Sequence, residues 1–285
     1  MHACRKSTIA FADPHACLLL ISSLFLYLVP ALAQSAPPPK PFMEQMRRLY
    51  YTPTTAGLRS FSCEAHPDWH GLLERAEAGK TIAADDPRVE YLNQVKISFT
   101  ATMDGTAKID WVPPPDREFP GSATASTQMK EGVQQMLTGF FQFWAPNVNG
   151  TLLPGPNDVF SLESDKGGYR VLMNQEQSSV VEVIDHDLKL TELHLKQPSL
   201  TGDFSLTFTQ SPSGFEIVGT DGNLSTNGST PAHVRFRLDY QPVGGFQIPK
   251  NVAMEVVNVA RVDFAFENCK TSQDVEVLPP KPTQK

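Results

Sequence analysis

The stretch that decides the fold runs from residue 159 to residue 268, and three of its segments read DFSLTFT (203–209), HVRFRLDY (233–240) and VDFAF (262–266). In each segment the apolar side chains stand two residues apart, with polar or small residues between them. Successive side chains of a β-strand point to opposite faces of the sheet, so each segment has one apolar and one polar face. This alternation is typical of an antiparallel sheet that buries a single face.

The residues between such segments are turn formers. Examples are Gly167-Gly168, Pro212-Ser213-Gly214, Asn227-Gly228-Ser229 and Gly244-Gly245. These residue types adopt positive φ or hydrogen-bond their own backbone. None of the connections leaves room for a crossover helix, so neighbouring strands must pair as successive hairpins. The sequence therefore predicts a mainly β (α+β) fold, in which a curved antiparallel meander of roughly ten strands forms a half-barrel.

Upstream of the meander the pattern predicts helices and one early hairpin. Asp68 is a suitable N-cap for a helix that runs to Ala78, and Pro87 is a suitable first residue of another helical turn. Asp104-Gly105 is the strongest short hairpin signal in the chain. In chain order we expect a helix over Phe42–Tyr51, a first strand over Leu58–Ala65, the helices at Asp68 and Pro87, and hairpin strands over Lys96–Met103 and Thr106–Val112.

The strongest helical pattern covers residues 127–144 and is expected to end at Pro146. One stripe of this helix is apolar and aromatic, and it needs a large apolar surface to cover. The sheet is the only surface of that size, so two or three helices are expected to roof its concave face. A helix that simply plugs an ordinary core explains the stripe equally well. The stripe includes Met129, Val133, Met136, Phe140, Phe141 and Trp144.

The first residues resemble a secretory signal. Arg5 and Lys6 precede an apolar run over 17–29, and Ala31 and Ala33 offer small residues at a cleavage site. We therefore predict a signal peptide at residues 1–33, a disordered Pro-rich linker at 34–41, one domain at 42–275 and a flexible tail at 276–285. The mature protein is expected to be soluble and periplasmic or otherwise extracytoplasmic.

Charge and cysteine content narrow the functional classes further. The formal net charge of −7 and the absence of a basic cluster argue against nucleic acid as a partner. Only Cys63 and Cys269 remain after removal of the predicted leader. In an oxidising compartment such a pair favours a disulfide that ties the first strand to the last, and two buried free thiols are the alternative.

So many strands with so few helices leave three outcomes for the apolar face. The sheet folds into a sandwich, closes into a filled barrel, or stays open as a half-barrel with an apolar cavity. Hairpin-only connections argue against a sandwich, but the sequence does not separate a filled core from a cavity. The candidate ligand-binding residues are the six roof residues named above together with Phe204, Phe236 and Phe264 on the sheet.

Two C-terminal motifs read DYQPVGGFQIP (239–249) and VDFAFEN (262–268). With the layout of the chain over about 58–270, they resemble the Lol-type outer-membrane lipoprotein carrier superfamily. The resemblance implies a half-barrel that shields an apolar or acylated ligand, including lipoprotein acyl chains. The carriers usually have an Arg soon after an aromatic residue of an early strand, whereas Trp111 is followed by VPPP (112–115). A relative that binds another apolar molecule or a protein partner therefore fits as well.

The sequence contains no motif that predicts catalysis or a cofactor. His66, Asp68 and His70 could form a metal or acid–base cluster, but an N-cap explains Asp68 better. Asp185-His186-Asp187 suits a hairpin turn. We expect a monomeric, non-enzymatic carrier without metal or cofactor that contacts a membrane surface at most transiently. The alternatives are an envelope sensor or interaction module with a filled core, and an enzyme that uses His66, Asp68 and His70.

Overall fold

The computed structural model describes residues 36–77, 79–150 and 152–273. The predicted signal peptide and tail, and the first residues of the predicted linker, lie outside the described residues. Within them the chain forms twelve strands and four helices. The elements are α1 (Pro39–Leu49), β1 (Leu58–Pro67), α2 (Trp69–Ala76), α3 (Pro87–Leu92), β2 (Lys96–Thr102), β3 (Ala107–Val112), α4 (Ala123–Val148), β4 (Ser161–Asp165), β5 (Gly168–Gln175), β6 (Ser178–Asp185), β7 (Leu190–Gln197), β8 (Leu200–Ser211), β9 (Gly214–Thr226), β10 (Ala232–Val243), β11 (Phe246–Val256) and β12 (Ala260–Gln273).

The strands make one open, curved antiparallel sheet in the order β3-β2-β1-β12-β11-β10-β9-β8-β7-β6-β5-β4. From β4 to β12 every strand pairs with its neighbour in sequence, which confirms the predicted meander. The first three strands join the meander where β1 pairs antiparallel with β12. Because β3 and β4 stay at opposite edges, the sheet does not close into a barrel.

The predicted disulfide is confirmed at the junction between β1 and β12. Cys63 and Cys269 are bonded, with their Cα atoms 4.1 Å apart and 206 residues between them in sequence. The register of the two strands shifts between Ser62 and Glu64, so the bond lies at a bulge. It fastens the N-terminal strands to the end of the meander.

The short upstream helices begin where their caps predict. The Asp68 carboxylate accepts a hydrogen bond from the Gly71 amide at 3.0 Å, and the Asp86 carboxylate accepts one from the Arg88 amide at 2.8 Å. Helix α1 begins at Pro39, so residues 39–41 are helical and do not belong to a linker. Proline is favoured at the first helical positions because its missing N–H has no partner there anyway.

Helix α4 is longer than the sequence predicts at both ends. The Ser122 hydroxyl accepts a hydrogen bond from the Ala125 amide at 3.1 Å, so the helix begins four residues before the expected start. It continues to Val148, and the prediction that Pro146 ends it is wrong. Proline removes only one helical hydrogen bond, while Ala145 and Val148 on either side of it are buried. Tertiary packing therefore overrides the local preference.

Candidate functional site

Helices α1 and α4 both lie on the concave face of the sheet, α1 toward the β4 edge and α4 toward the β3 edge. On α4, Phe143 stacks on Phe236 of β10 with ring centroids 4.8 Å apart, and Gln134 donates to the Ile109 carbonyl of β3 at 3.5 Å. On α1, the ring of Phe42 lies 4.7 Å from that of Tyr169 on β5. Both helices also contact β9. They therefore approach each other at β9 and diverge toward the two edges of the sheet.

The inner face of β8 to β11 lies between the diverging helices, and we call it the concave floor. Its register places Phe204 opposite Gly222, Gly222 opposite Val234, and Val234 opposite Val256. Leu224, Phe236 and Val256 are only half-buried, although all three pack against the core. This surface is apolar and incompletely covered. The concave floor consists of Phe204, Leu224, Val234, Phe236 and Val256.

Most of the predicted roof residues of α4 belong to a closely packed ring cluster. Val133, Phe140, Phe141 and Trp144 are each at most 2% exposed. The ring of Phe141 contacts Phe61 at 5.9 Å, Phe99 at 4.8 Å and Phe266 at 6.2 Å between centroids. Side chains of β1, β2 and β12 thus fill the space beneath this half of the helix.

The remaining predicted residues divide between the ring cluster and the concave floor. Phe264 is 3% exposed and contacts the ring of Phe266 at 6.2 Å. Phe204 and Phe236 lie together on the concave floor, while Met129 and Met136 are half-buried on α4. The structure therefore brings only Phe204 and Phe236 to one incompletely covered surface, and the ligand-binding role of all nine residues stays a prediction.

The sequence analysis did not identify Leu224 and Val256 as floor residues. Leu224 lies in the polar segment GNLST (222–226), and Val256 in MEVVN (254–258). Neither segment shows a clear alternation of apolar and polar residues. The cross-strand register assigns both side chains to the inner face. That register depends on β-bulges that no sequence pattern predicts.

Glu182 of β6 is a second residue that sequence analysis missed. It pairs with Val171 and Leu193 on the neighbouring strands and is fully buried. Neither carboxylate oxygen has a hydrogen-bond partner among the described residues. Burial raises the pKa of Glu182 well above its ordinary value. Burial therefore favours the neutral form of this side chain, which lies on an otherwise apolar row.

The outer face of the sheet is polar, as the alternation predicts. Arg235 of β10 contacts Asp221 of β9 at 2.7 Å and Glu255 of β11 at 3.1 Å. The Arg235 guanidinium holds the pKa of the Asp221 carboxyl below its usual range. Two clefts of about 450 and 780 Å³ share Arg237 on this face and are lined by charges of both signs. These features are typical of a solvated surface.

The residues of the alternative enzyme hypothesis each have a separate partner. His66 lies 3.7 Å from Glu267, His70 contacts the Ile82 carbonyl at 2.9 Å, and Asp68 caps α2. Asp185 accepts hydrogen bonds from the amides of Asp187 and Lys189, as a turn residue does. Among the described residues no group of three metal-ligating side chains occurs.

Comparisons with family models, curated proteins and solved structures found no match to this chain. Within residues 36–77, 79–150 and 152–273, no helix has both the length and the apolar character needed to cross a membrane.

Proposed function

We propose that this protein is a non-enzymatic, extracytoplasmic binding protein that shields an apolar or acylated ligand on its concave floor. The observation that carries the proposal is the half-buried apolar surface formed by Leu224, Phe236 and Val256 between two diverging helices. Concave surfaces lined mainly by apolar and aromatic side chains are the usual sites for small apolar ligands. An acyl chain that lies along this floor would remove apolar surface of both the chain and the protein from water. Each Å² of apolar surface removed stabilises the complex by about 25 cal/mol.

The location outside the cytoplasm is supported by the covalent structure. The bonded pair Cys63 and Cys269 suits an oxidising compartment, where disulfides form and persist. The signal-like pattern of residues 1–33 points in the same direction. Residence in the periplasm, like the distant relation to the Lol-type carriers, belongs to this proposal.

A second candidate function is favoured by the ring cluster beneath α4. Because Phe140, Phe141 and Trp144 are fully packed, half of the concave face offers no space to a ligand. A sensor or interaction module with a filled core would look the same in this half. The two candidates differ on the concave floor, which a carrier must use and an interaction module need not.

The test introduces one charge on the floor and the same charge on the opposite face. Leu224→Glu places a carboxylate on the half-buried floor, and Thr201→Glu places one on exposed β8. The purified mature protein and both variants are titrated with a fluorescent C12 acyl probe. We expect the Leu224→Glu variant to bind at least about tenfold more weakly than the wild type, because a carboxylate would lose hydration beside the chain, whereas Thr201→Glu should bind normally.

A second measurement keeps the outcome informative. Organic-solvent extracts of the purified protein are analysed by mass spectrometry for co-purified lipid. Failure of the wild type to bind the probe, together with lipid-free extracts, would count against the carrier and in favour of the interaction module. Equal weakening by both variants would place binding somewhere other than the concave floor.

A further inference from the structure

A separate cleft lies at the C-terminal end of α1, at the opposite end of that helix from its Phe42–Tyr169 contact. It has a volume of about 650 Å³, and its border includes Thr52, Thr55, Asn149, Gly155 and Phe246. Its volume is within the range of about 300–1,000 Å³ that is usual for small-molecule sites. Tyr50, Tyr51 and Leu153 contribute aromatic and aliphatic surface.

The charges of this cleft have one sign. Arg47 and Arg48 are its only charged residues among those described, whereas the other described clefts that have acidic residues also contain basic ones. Burial raises the pKa of Tyr51 to about 12 and that of Tyr50 further still, so both phenols stay neutral. In a chain with a formal net charge of −7, two arginines in a cleft without an acid among its described lining residues form a local positive field.

Three acids lie near the cleft without lining it. The Asp158 carboxylate accepts a hydrogen bond from the Gly155 amide at 2.7 Å. Glu216, which acts electrostatically on Tyr51, is buried and accepts a hydrogen bond from the Ser211 hydroxyl at 2.6 Å. Glu44 lies one turn before Arg48 on α1, yet the two form no ion pair in the described residues. Among the described residues, no carboxylate therefore forms an ion pair with Arg48.

The two guanidinium groups differ in how they are held. Arg47 donates to the Pro154 carbonyl, which fixes it at one wall of the cleft. Arg48 is exposed and makes no hydrogen bond or ion pair within the described part of the chain. One arginine is thus anchored and the other is available. Two guanidiniums that line one cleft suit a phosphate, because their planar donors match its oxygens and two positive charges balance a dianion.

We propose that this arginine cleft binds a phosphate-bearing amphiphile, with the phosphate at Arg47 and Arg48 and the apolar part against Tyr50, Leu153 and Phe246. The phosphate can belong to a free phosphorylated molecule or to a lipid headgroup in a bilayer, and the chemistry at the arginines is the same. This site is separate from the concave floor, so it does not depend on the function proposed above.

The test compares two exposed arginines. Arg48→Glu replaces one positive charge of the cleft by a negative one, and Arg237→Glu does the same to an exposed arginine on the outer face of β10 that has no ion pair among the described residues. Both variants and the wild type are titrated calorimetrically with dodecyl phosphate below its micellar concentration and with inorganic pyrophosphate. We expect Arg48→Glu to weaken dodecyl phosphate binding at least about tenfold, Arg237→Glu to leave it unchanged, and added salt to weaken it.

Two further experiments distinguish a lipid headgroup from a free phosphorylated ligand, and the arginine cleft from the concave floor. Co-sedimentation with vesicles of phosphatidic acid or of phosphatidylcholine distinguishes a membrane headgroup from a free ligand. The Leu224→Glu variant should retain phosphate binding, and Arg48→Glu should retain binding of the C12 acyl probe. The proposal is overturned if the wild type binds neither phosphate probe, or if Arg48→Glu and Arg237→Glu weaken binding equally. Loss of dodecyl phosphate binding in Leu224→Glu alone would move that ligand to the concave floor and overturn the cleft assignment.

Discussion

The two halves of the concave face are built differently. Beneath α4, strands β1, β2 and β12 contribute rings that pack against Phe140, Phe141 and Trp144. In the other half, β4 to β7 and α1 surround a core that contains Glu182, whose carboxylate has no hydrogen-bond partner among the described residues. Both halves thus contain a buried side-chain oxygen without a hydrogen-bond partner among the described residues, Asn147 Oδ1 on α4 and the carboxylate of Glu182 on β6. Only the second belongs to an ionisable group, while the first half is otherwise a core in which rings contact rings.

This difference indicates that the two halves of the sheet contribute differently to stability. The half beneath α4 has the packing of a stable scaffold, and the disulfide fastens it. The half beneath α1 retains a residue that lowers stability, since a buried polar group without a partner costs about 1–3 kcal/mol. The concave floor lies between the two halves. If the proposed function holds, the ligand binds at the boundary between a closely packed half and a half that contains a buried ionisable group.

The largest effect is expected from Phe141→Ala in the half beneath α4. The fully buried ring contacts three strands, so its removal should lower the free energy of unfolding by about 3–5 kcal/mol. Phe143→Ala, which removes a half-buried ring with one stacked partner, should cost clearly less. Urea denaturation followed by circular dichroism measures both. Equal losses would show that the ring cluster beneath α4 is packed no more closely than the contact of Phe143 with Phe236 on the concave floor.

A slightly smaller effect is expected from the double substitution Cys63→Ala and Cys269→Ala. The bond closes a loop over 206 residues of sequence, and removal of such native bonds typically costs about 2–5 kcal/mol. Thermal unfolding of the double variant should match that of the reduced wild type. A loss below about 1 kcal/mol would mean that the β1–β12 pairing holds without its covalent link, which would weaken the scaffold argument.

The sequence predicted the features that depend on local chemistry. Alternation in segments such as 203–209 predicted the meander, Asp104-Gly105 predicted the first hairpin, and Asp68 predicted the start of α2. The cysteine count predicted the disulfide. The first three signals each lie within a few residues of sequence. For the disulfide, only two cysteines remain after the predicted leader, so only one pairing exists and no long-range geometry was needed.

The features that the sequence did not predict depend on register and packing. In VVEVI (180–184) the more natural assignment places Val181 and Val183 inside and Glu182 outside. Pairing with Val171 and Leu193 places Glu182 on the inner face instead. Likewise, Pro146 was expected to end α4, but burial of Ala145 and Val148 keeps the helix continuous. The incompletely covered floor also results from helix directions that no local pattern encodes.

The third prediction concerns Glu182 and its dependence on pH. In the unfolded chain this carboxyl ionises around its ordinary pKa of 4.5, whereas in the folded protein burial raises the pKa. Above pH 4.5 the unfolded state is therefore stabilised, because it loses a proton that the folded state retains. The contribution of Glu182 to stability consequently falls as pH rises from 4.5 toward the folded-state pKa.

Replacing Glu182 with methionine, which is apolar and similar in size, removes both the unpaired polar group and its titration. We expect Glu182→Met to raise the free energy of unfolding by about 1–3 kcal/mol below pH 4.5, and by more at pH 8. Glu182→Gln, which stays polar but does not titrate, should remove only the pH-dependent part, and Glu163→Gln on exposed β4 should change neither. Urea midpoints measured from pH 4 to pH 8 separate these cases. If Glu182→Met gains the same stability at every pH in that range, the carboxyl does not remain protonated in the folded protein. If Glu182→Met loses stability, the carboxyl has a hydrogen-bond partner in the folded protein, and the half beneath α1 does not contain an unpartnered carboxyl group.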